Sequence, residues 1–512
     1  MRRVGNQTAN ALTMPAPVGG LNDRDALASM SVKDAVILRN WWPEPSRLIT
    51  RAGSQKWATG LPGRVETLVQ YAATDGSYEL FAIADGDLFD VTNPGDVDTA
   101  IITDLPTSRW EPMSISTPGG NFLYLFCGQS DPLLYDGTDW QAIDDSTTPE
   151  ITGVDAATLK QGIVFKSRFF AVQRNSMSIY YFPAATMGGE ATSIDLSGIF
   201  QRDGYIVGLY TWTIDAGNGS DDHLIILTSN GEVAVYGGTD PSSIDTWNLI
   251  GLFFIGKPIG QRPVTKFGGD LVVLTERGAV VMSSALMSSE IDNRSALSDK
   301  IQNAMAASMR DYGINFGWEV LTYPQQNALI VNVPRAYGGS MQYVMNLITK
   351  SWTIFEGWDV STMLDSGFGL MAGGSNETRL CWVGNNDDLL PIECEVLQAF
   401  QDFKSASQVK YFTMVRPYLR SDGNPSIVYG LNGDYSPQPV NGTYTYKPPS
   451  GMIWGEMEWG DMYWGGGLRD ITSWRTTGRM YHSAALRIKL QNNGSQVEWT
   501  NSNFVFKTGG LL

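Results

Sequence analysis

A strand–turn–strand pattern that returns seven times between residues 66 and 392 constrains the fold of this chain most. Each instance joins two runs of apolar, β-branched and aromatic residues through a short polar or glycine-containing turn, which is typical of a β-hairpin. In the fourth instance, Ser229-Asn230-Gly231 supplies a turn whose residues tolerate positive φ. The seven segments are 80–92, 122–140, 168–182, 223–238, 270–284, 327–356 and 369–383.

Hairpins that recur at spacings of roughly 40 to 60 residues indicate radial blades, in which each small sheet buries its faces against its neighbours. The repeat is one of pattern, because no WD series or Kelch signature accompanies it. We therefore predict a mainly β chain with a β-propeller-like domain of six or seven irregular blades over residues 63–395. A series of β-sandwiches is the competing layout.

One segment of this domain follows a helical period instead. Residues 295–313 begin at Ser295, a capping-type residue, and stop at Gly313, as helix ends often do. The apolar positions that recur every 3.6 residues are Leu297, Ile301, Ala304, Met305 and Met309. We predict a single amphipathic helix inserted between two blades.

The two ends of the chain differ from the repeats. Residues 1–62 offer short extended pieces around a Trp41-Trp42-Pro43 turn and no core of their own, which predicts an extended N-terminal arm that packs on something else. Past residue 395, apolar and polar residues alternate in several stretches, which predicts a C-terminal antiparallel β domain over residues 396–512.

Composition limits the classes of function. The formal net charge is -17, so the chain lacks the basic surface that a tight nucleic-acid binder or an anionic-lipid binder needs. No run of 7 to 15 apolar residues follows the N-terminal arginines, and no run of 18 occurs anywhere, so we expect no signal peptide, membrane span or membrane anchoring. Three cysteines, Cys127, Cys381 and Cys394, cannot all pair, and they predict buried free thiols in a reducing cytoplasm.

Motifs that carry chemistry are scarce. The two histidines, His223 and His482, lie outside any GxSxG or HExxH motif, and no phosphate-binding loop occurs. The acidic loop 215–222 could hold calcium through oxygen ligands, but it lacks EF-hand spacing. Paired carboxylates stay possible, because 53 acidic residues supply many pairs. We predict that the protein is not an enzyme and has no catalytic, cofactor-binding or metal-binding residues.

A tryptophan repeat stands in the predicted C-terminal domain. The stretch MIWGEMEWGDMYWGG, residues 452–466, has a period of five, which matches neither a helix nor a strand, so each glycine must turn the chain. We predict a loop over residues 451–466 whose tryptophans pack on their own sheet or on a neighbouring subunit. An exposed sugar-binding or membrane-inserting surface is the alternative. The predicted packing or subunit-interface residues are Trp41, Trp42, Trp454, Trp459 and Trp464.

The order of these segments resembles the nozzle, or tail-hub, proteins of short-tailed bacteriophages (podoviruses). The likeness is carried by the N-terminal stretch 19–61, by the weak blade series, by NALIVNVPR (327–335) leading into VMNLITKSWTIFE (344–356), and by the closing SAALRIKLQNNGSQVEWTNSNFVF (483–506). It spans most of the chain. The family carries no catalytic residues, so none can be transferred.

The resemblance implies a structural virion protein of the phage tail, made in the cytoplasm of the host bacterium. It would form a ring, a hexamer of this chain, that extends the DNA-ejection channel below the portal and adaptor rings. The arm would clasp a neighbouring subunit or the adaptor, and tail fibres, spikes or a needle are further possible partners. Double-stranded DNA would pass through without specific binding. The alternatives are a glycan-degrading tailspike-like enzyme and a glycan-binding lectin, both propellers.

Overall fold

The computed structural model describes residues 9–215, 220–243, 245–287, 296–423, 425–440 and 468–509. Small antiparallel sheets follow one another through most of this length. Blade 2 contains Glu111–Thr117, Gly120–Phe126, Leu133–Tyr135 and Trp140–Ala142; blade 3 contains Leu159–Phe165, Arg168–Gln173, Ser178–Ala184 and Thr192–Asp195; blade 4 contains Ile206–Asp215, Ser220–Thr228, Glu232–Gly238 and Trp247–Phe254. Blade 5 contains Val264–Phe267, Asp270–Thr275 and Gly278–Val281; blade 6 contains Glu319–Tyr323, Ala328–Pro334, Ser340–Asn346 and Ser351–Glu356.

One long strand, Ser54–Ala72, belongs to two blades. Its first part pairs with Ser375–Cys381, beside Gly369–Gly373 and Thr362–Ser366, and so completes blade 7. Its second part, from Val65 onward, pairs with Tyr78–Ala84, which pairs with Asp87–Asp90 to form blade 1. The first and last blades are therefore joined by a continuous backbone, which closes the ring.

Seven blades thus surround one axis within the described residues. The innermost strand of each blade contacts the next blade around the whole circle, so each sheet buries its faces against its neighbours. The seven hairpins predicted from the sequence are confirmed, one in each blade. Gly231 has the expected positive φ, 83°.

A second domain, which we call the terminal domain, takes strands from both ends of the chain. Its strands are Asn10–Pro15, Gly20–Leu21, Asp34–Arg39, Trp41–Pro43, Leu48–Thr50, Ile392–Gln398, Lys410–Ser421, Ser426–Gly433, Arg469–Asp470, Arg475–Tyr481, Ala484–Asn492 and Val497–Thr508. Lys410–Ser421 and Val497–Thr508 form its longest pair, and Asn10–Pro15 adds to the far side of the latter. The predicted C-terminal domain is therefore incomplete without residues from the start of the chain.

The two domains share a sheet. Blade 6 continues through Asp34–Arg39, which bridges to blade 6 at Arg39 and Ile354 and pairs on its other side with Ile392–Gln398. One hydrophobic cluster runs across the junction from Trp318 and Val331 to Trp499. Because backbone pairing and core packing both cross this junction, the two domains form one unit.

These pairings correct the predicted layout at its boundaries. Ser54–Ala72 runs without a break through the predicted boundary after residue 62, and Ile392–Gln398 runs through the one after residue 395. The described part of the predicted arm, residues 9–62, pairs with strands of its own chain. Sequence periodicity missed this because the partner strands lie several hundred residues away.

The inserted helix is confirmed, but its start differs. The α-helix is Gln302–Tyr312, after a 3-10 turn at Asp299–Ile301, and Ser295 lies outside the described residues. Its cap comes from the other end of the chain: the Asp23 carboxylate accepts hydrogen bonds from the backbone N–H groups of Asn303 (3.3 Å) and Ala304. A second, short α-helix, Met282–Met287, follows blade 5.

Short 3-10 turns also occur in the connections, at Ala156–Thr158, Pro324–Gln326 and Ala336–Gly338. Two further short pairings involve Gly95–Asp96 with the long shared strand, and Ile151–Thr152 with Gly189–Glu190. None of the helices in the described part of the chain is long and apolar enough to cross a membrane.

A buried arginine ties the junction of the two domains together. The Arg51 guanidinium donates hydrogen bonds to the Asn40 side chain (2.8 Å), to the backbone carbonyl of Glu356 (2.7 Å) and to both carboxylate oxygens of Asp387. It also lies over the ring of Trp358, 5.3 Å from the centroid. One side chain therefore links the N-terminal segment, blade 6 and the loop that leaves blade 7.

Candidate functional site in the propeller channel

The innermost strands line a channel along the propeller axis. Lys160 and Val207, near the starts of their strands, lie at one end, where a cavity of about 290 Å³ opens; we call this end the upper mouth. A cavity of about 250 Å³ occupies the middle of the channel. Ser114, Thr211 and Lys266 lie farther along their strands and line the lower mouth.

A charged cluster crosses the channel at the starts of the inner strands, in the lining of the 250 Å³ cavity. Arg262 precedes the inner strand of blade 5, and its guanidinium donates to the backbone carbonyl of Trp110 (2.8 Å) and to the Thr362 hydroxyl (2.5 Å). The same group lies 3.4 Å from the Glu111 carboxylate and 3.9 Å from that of Glu319. Arg262 therefore joins blades 2, 5, 6 and 7 across the axis.

The two carboxylates of this cluster have different environments. Glu111 accepts a second hydrogen bond from the Gln261 amide at 2.9 Å. Glu319 is only 8% exposed and accepts from the backbone N–H of Met363 at 2.9 Å. Burial raises the pKa of Glu319 above its ordinary value, although Arg262 acts in the opposite direction. Glu319 therefore holds its proton to higher pH than an exposed glutamate does.

This raised pKa gives an expected pH dependence of stability. The stability that the Glu319 proton confers is complete below the ordinary pKa of about 4.3 and is lost as the pH rises through the higher folded value. Glu319→Gln stays neutral throughout. We therefore expect the thermal midpoint of the variant, relative to the wild type, to increase by about 2 °C between pH 4 and pH 8.

The matched control is Glu66→Gln, which removes a carboxylate that pairs with Arg109 outside the channel. Differential scanning calorimetry of the three proteins across this pH range measures the effect. Parallel pH profiles for the two variants would contradict the assignment of a raised pKa to Glu319.

Trp41 and Trp42, predicted as packing or subunit-interface residues, are buried within the folded chain. Trp41 is 0% exposed, and its ring centroid lies 6.3 Å from that of Trp499. Trp42 packs against Phe355 (6.1 Å) and edge-on against Trp382 (5.2 Å). Both side chains contribute to the core at the junction of the two domains and present no face to a neighbouring subunit.

The other predicted tryptophans, Trp454, Trp459 and Trp464, lie outside the described residues. The loop 215–222, considered above for calcium, also falls partly outside them, at residues 216–219. Within the part that the structure describes, no group of three or more His, Cys, Asp and Glu side chains is placed to hold a metal ion.

The histidines and thiols are dispersed. His223 is buried in blade 4, whereas His482 is exposed in the terminal domain, 3.8 Å from Asp434. Cys127, Cys381 and Cys394 are buried and free, as predicted. Burial raises the pKa of Cys381 to about 12 and also raises that of Cys394, which keeps both thiols protonated and unreactive.

Sequence reasoning missed the channel cluster. Arg262, Glu111 and Glu319 stand at or just before the first residue of an inner strand, but nothing in the local sequence marks those strands as innermost. The one available signal was a charged residue at or just before the start of a strand. It becomes visible only once the order of strands within each blade is known.

Comparisons with known proteins show no family for this chain. No family model matches the chain, and no curated protein matches it. Among solved structures, BBS1N in complex with ARL6DN is similar at 12% identity and a TM-score of 0.40, over 65% of this chain and 98% of that one. The β-propeller domain of Cps50 (Swd1) from Myceliophteria thermophila is similar at 12% and 0.35, over 62% and 100%. For YCF48 from Cyanidioschyzon merolae the values are 9% and 0.29, over 64% and 98%.

Proposed function

We propose that this protein is a structural component of a short bacteriophage tail, in which about six copies form the nozzle or hub that continues the DNA-ejection channel. The observation that carries the proposal is the fusion of propeller and terminal domain through a shared sheet and a shared core. A protein that must withstand the passage of DNA needs domains that do not separate from each other. Its site of action would be the virion, after synthesis in the host cytoplasm.

The propeller channel itself is not the route for DNA. Arg262 crosses it, and the cavity of about 250 Å³ has the volume of a cube roughly 6 Å on a side, whereas the major groove of a duplex alone is about 12 Å wide. DNA would pass through the larger opening that several copies enclose. The working form would therefore be a ring of several copies and not a single copy.

Charge supports a lumen that lets DNA slide. Six copies carry 6 × (-17) = -102 formal charges, and acidic side chains that face the lumen would repel phosphate. At physiological salt the repulsion acts within about 8 Å of the wall. DNA would pass such a wall without making specific contacts to it.

Two free strand edges support ring formation. In the sheet around Lys410–Ser421, the outermost described strands on opposite sides are Asn10–Pro15 and Arg475–Tyr481, each paired on one side only. A closed ring with head-to-tail contacts needs two different surfaces on each copy. Contacts with the adaptor ring, and with fibres, spikes or a needle, would use the remaining surface.

Electron microscopy of the purified protein, with mass photometry over a range of concentrations, tests the proposal. We expect rings of about six copies with an axial opening, and we expect Met480→Asp on the free edge to abolish them. Met480 is 67% exposed; Ile348, 65% exposed in a blade 6 turn, gives the matched control Ile348→Asp. Two results together would rule out the ring: purified protein that stays monomeric at every concentration, and virions in which it forms no ring.

The glycan-degrading alternative keeps one supporting observation. Glu111 and Glu319 approach one guanidinium in the channel, and burial raises the pKa of Glu319; a pair of carboxylates in unequal environments is what glycosidases use. Release of reducing sugar from host polysaccharide by the wild type, lost in Glu319→Gln, would favour this function over the structural one.

A further inference from the structure

The upper mouth of the propeller channel gathers positive charge in an otherwise acidic chain. Lys160 and Lys257 line its cavity of about 290 Å³ together with glycines and uncharged residues, and no carboxylate lies in this described lining. Acidic residues outnumber basic ones by 53 to 36 in the whole sequence. The composition of the chain therefore does not account for a cavity lining that carries positive charge and no carboxylate.

The Lys160 ammonium has no hydrogen-bond or ion-pair partner among the described residues. The charged groups that act on it are Glu111, which already bonds to Gln261 and approaches Arg262, and Arg174, which is of like charge. In the part of the chain that the structure describes, the Arg174 guanidinium donates only to the backbone carbonyl of Gly128, at 3.3 Å. Burial lowers the pKa of Lys160, and the like charge of Arg174 acts in the same direction. An anion bound at Lys160 would offset both effects.

A hydroxyl donor faces the same cavity. Ser229 Oγ accepts a hydrogen bond from the Tyr205 backbone N–H at 3.1 Å, which leaves its own hydrogen able to donate. Gly204 keeps this hydroxyl accessible: its φ is 142°, and a Cβ there would lie 2.4 Å from Ser229 Oγ. An ammonium and a hydroxyl that line one cavity suit the two oxygens of a carboxylate.

The neighbouring charges favour a monoanion. Glu111 lies on the inner side of Lys160 and would repel a phosphate dianion more strongly than a carboxylate. The cavity is at the small end of ligand pockets, which run from roughly 300 to 1,000 Å³. Val207 and Pro258 in its lining suit a short apolar chain behind the charged group.

We propose that the upper mouth of the channel is a binding site for one carboxylate group, held by Lys160 and Ser229. The carboxylate comes either from a small organic acid or from an acidic side chain of a partner segment inserted into the mouth. The chemistry is the same in both cases, and neither the ring nor the passage of DNA is needed for it.

Protection of Lys160 from chemical labelling tests the proposal on the full-length protein. Acylation of each lysine by an amine-reactive ester is followed by peptide mass spectrometry with and without butyrate. At ten times its dissociation constant, butyrate is expected to slow labelling of Lys160 roughly tenfold and to leave Lys266, exposed at the lower mouth, unchanged. Equal labelling rates for Lys160 in both conditions would overturn the proposal.

Calorimetric titration separates the two sources and fixes the site. The probes are butyrate, inorganic phosphate, a blocked hexapeptide with one glutamate, and its glutamine twin. Binding of butyrate or of the glutamate peptide that is lost in Lys160→Met and kept in Lys266→Met supports the site, and the tighter of the two identifies the source. Binding that survives in Lys160→Met, or phosphate binding tighter than butyrate, overturns it.

Discussion

Replacing Arg51 with methionine is expected to lower the free energy of unfolding by about 3 to 5 kcal/mol. The substitution leaves the Asp387 carboxylate, only 12% exposed, without its ionic partner, and it also removes the bonds to Asn40 and to the Glu356 carbonyl. A buried carboxylate without a counter-charge costs more than the ion pair itself contributes. Urea unfolding followed by tryptophan fluorescence measures the loss.

Arg310→Met is the matched control. Arg310 pairs with Asp311 on the surface, where the two side chains are 74% and 50% exposed, and such pairs contribute about 0 to 1 kcal/mol. Adding Asp387→Leu to Arg51→Met removes the unpaired charge and is expected to recover part of the loss. Equal midpoints for Arg51→Met and Arg310→Met would show that the junction does not depend on this ion pair.

Truncating Trp41 to alanine is expected to cost about 3 to 5 kcal/mol, the range for large buried aromatics. Its side chain is fully buried in the cluster that joins blade 6 to the terminal domain. The loss arises inside one chain, so the change in unfolding midpoint should be the same at every protein concentration. A residue in a subunit interface would give a change that depends on concentration.

Trp474→Ala provides the comparison, since Trp474 is 39% exposed and exposed substitutions usually stay within about 0.5 kcal/mol. Thermal unfolding of the three proteins at low and high concentration distinguishes the two roles. A loss of stability that vanishes on dilution would instead place Trp41 in a subunit interface, the other role that the sequence predicted for it.

The blades can be predicted from the sequence because the paired strands of each hairpin lie close together along the chain. A hairpin such as 223–238 carries its strand pattern and its turn within a few residues, so the residues of this segment alone are enough to place the fourth blade. The apolar face of the helix is equally local, and Met305 and Ile301 are buried as its period requires.

The features that sequence reasoning missed depend on partners far along the chain. Asp23 caps a helix some 280 residues later, and Asn10–Pro15 pairs with a strand that ends at Thr508. Neither segment carries a pattern that points to its partner. The channel cluster was missed for the same reason, since Glu111, Arg262 and Glu319 become neighbours only when the ring closes.

The strand shared by the first and last blades has a consequence for the order of folding during synthesis. Its first part is made early, but its partner at Ser375–Cys381 leaves the ribosome about 300 residues later, which takes roughly 15 to 60 s at 5 to 20 residues per second. Through that interval the segment has a free edge that other chains could join. Folding yield should therefore depend on translation rate and on chaperones that bind nascent strands.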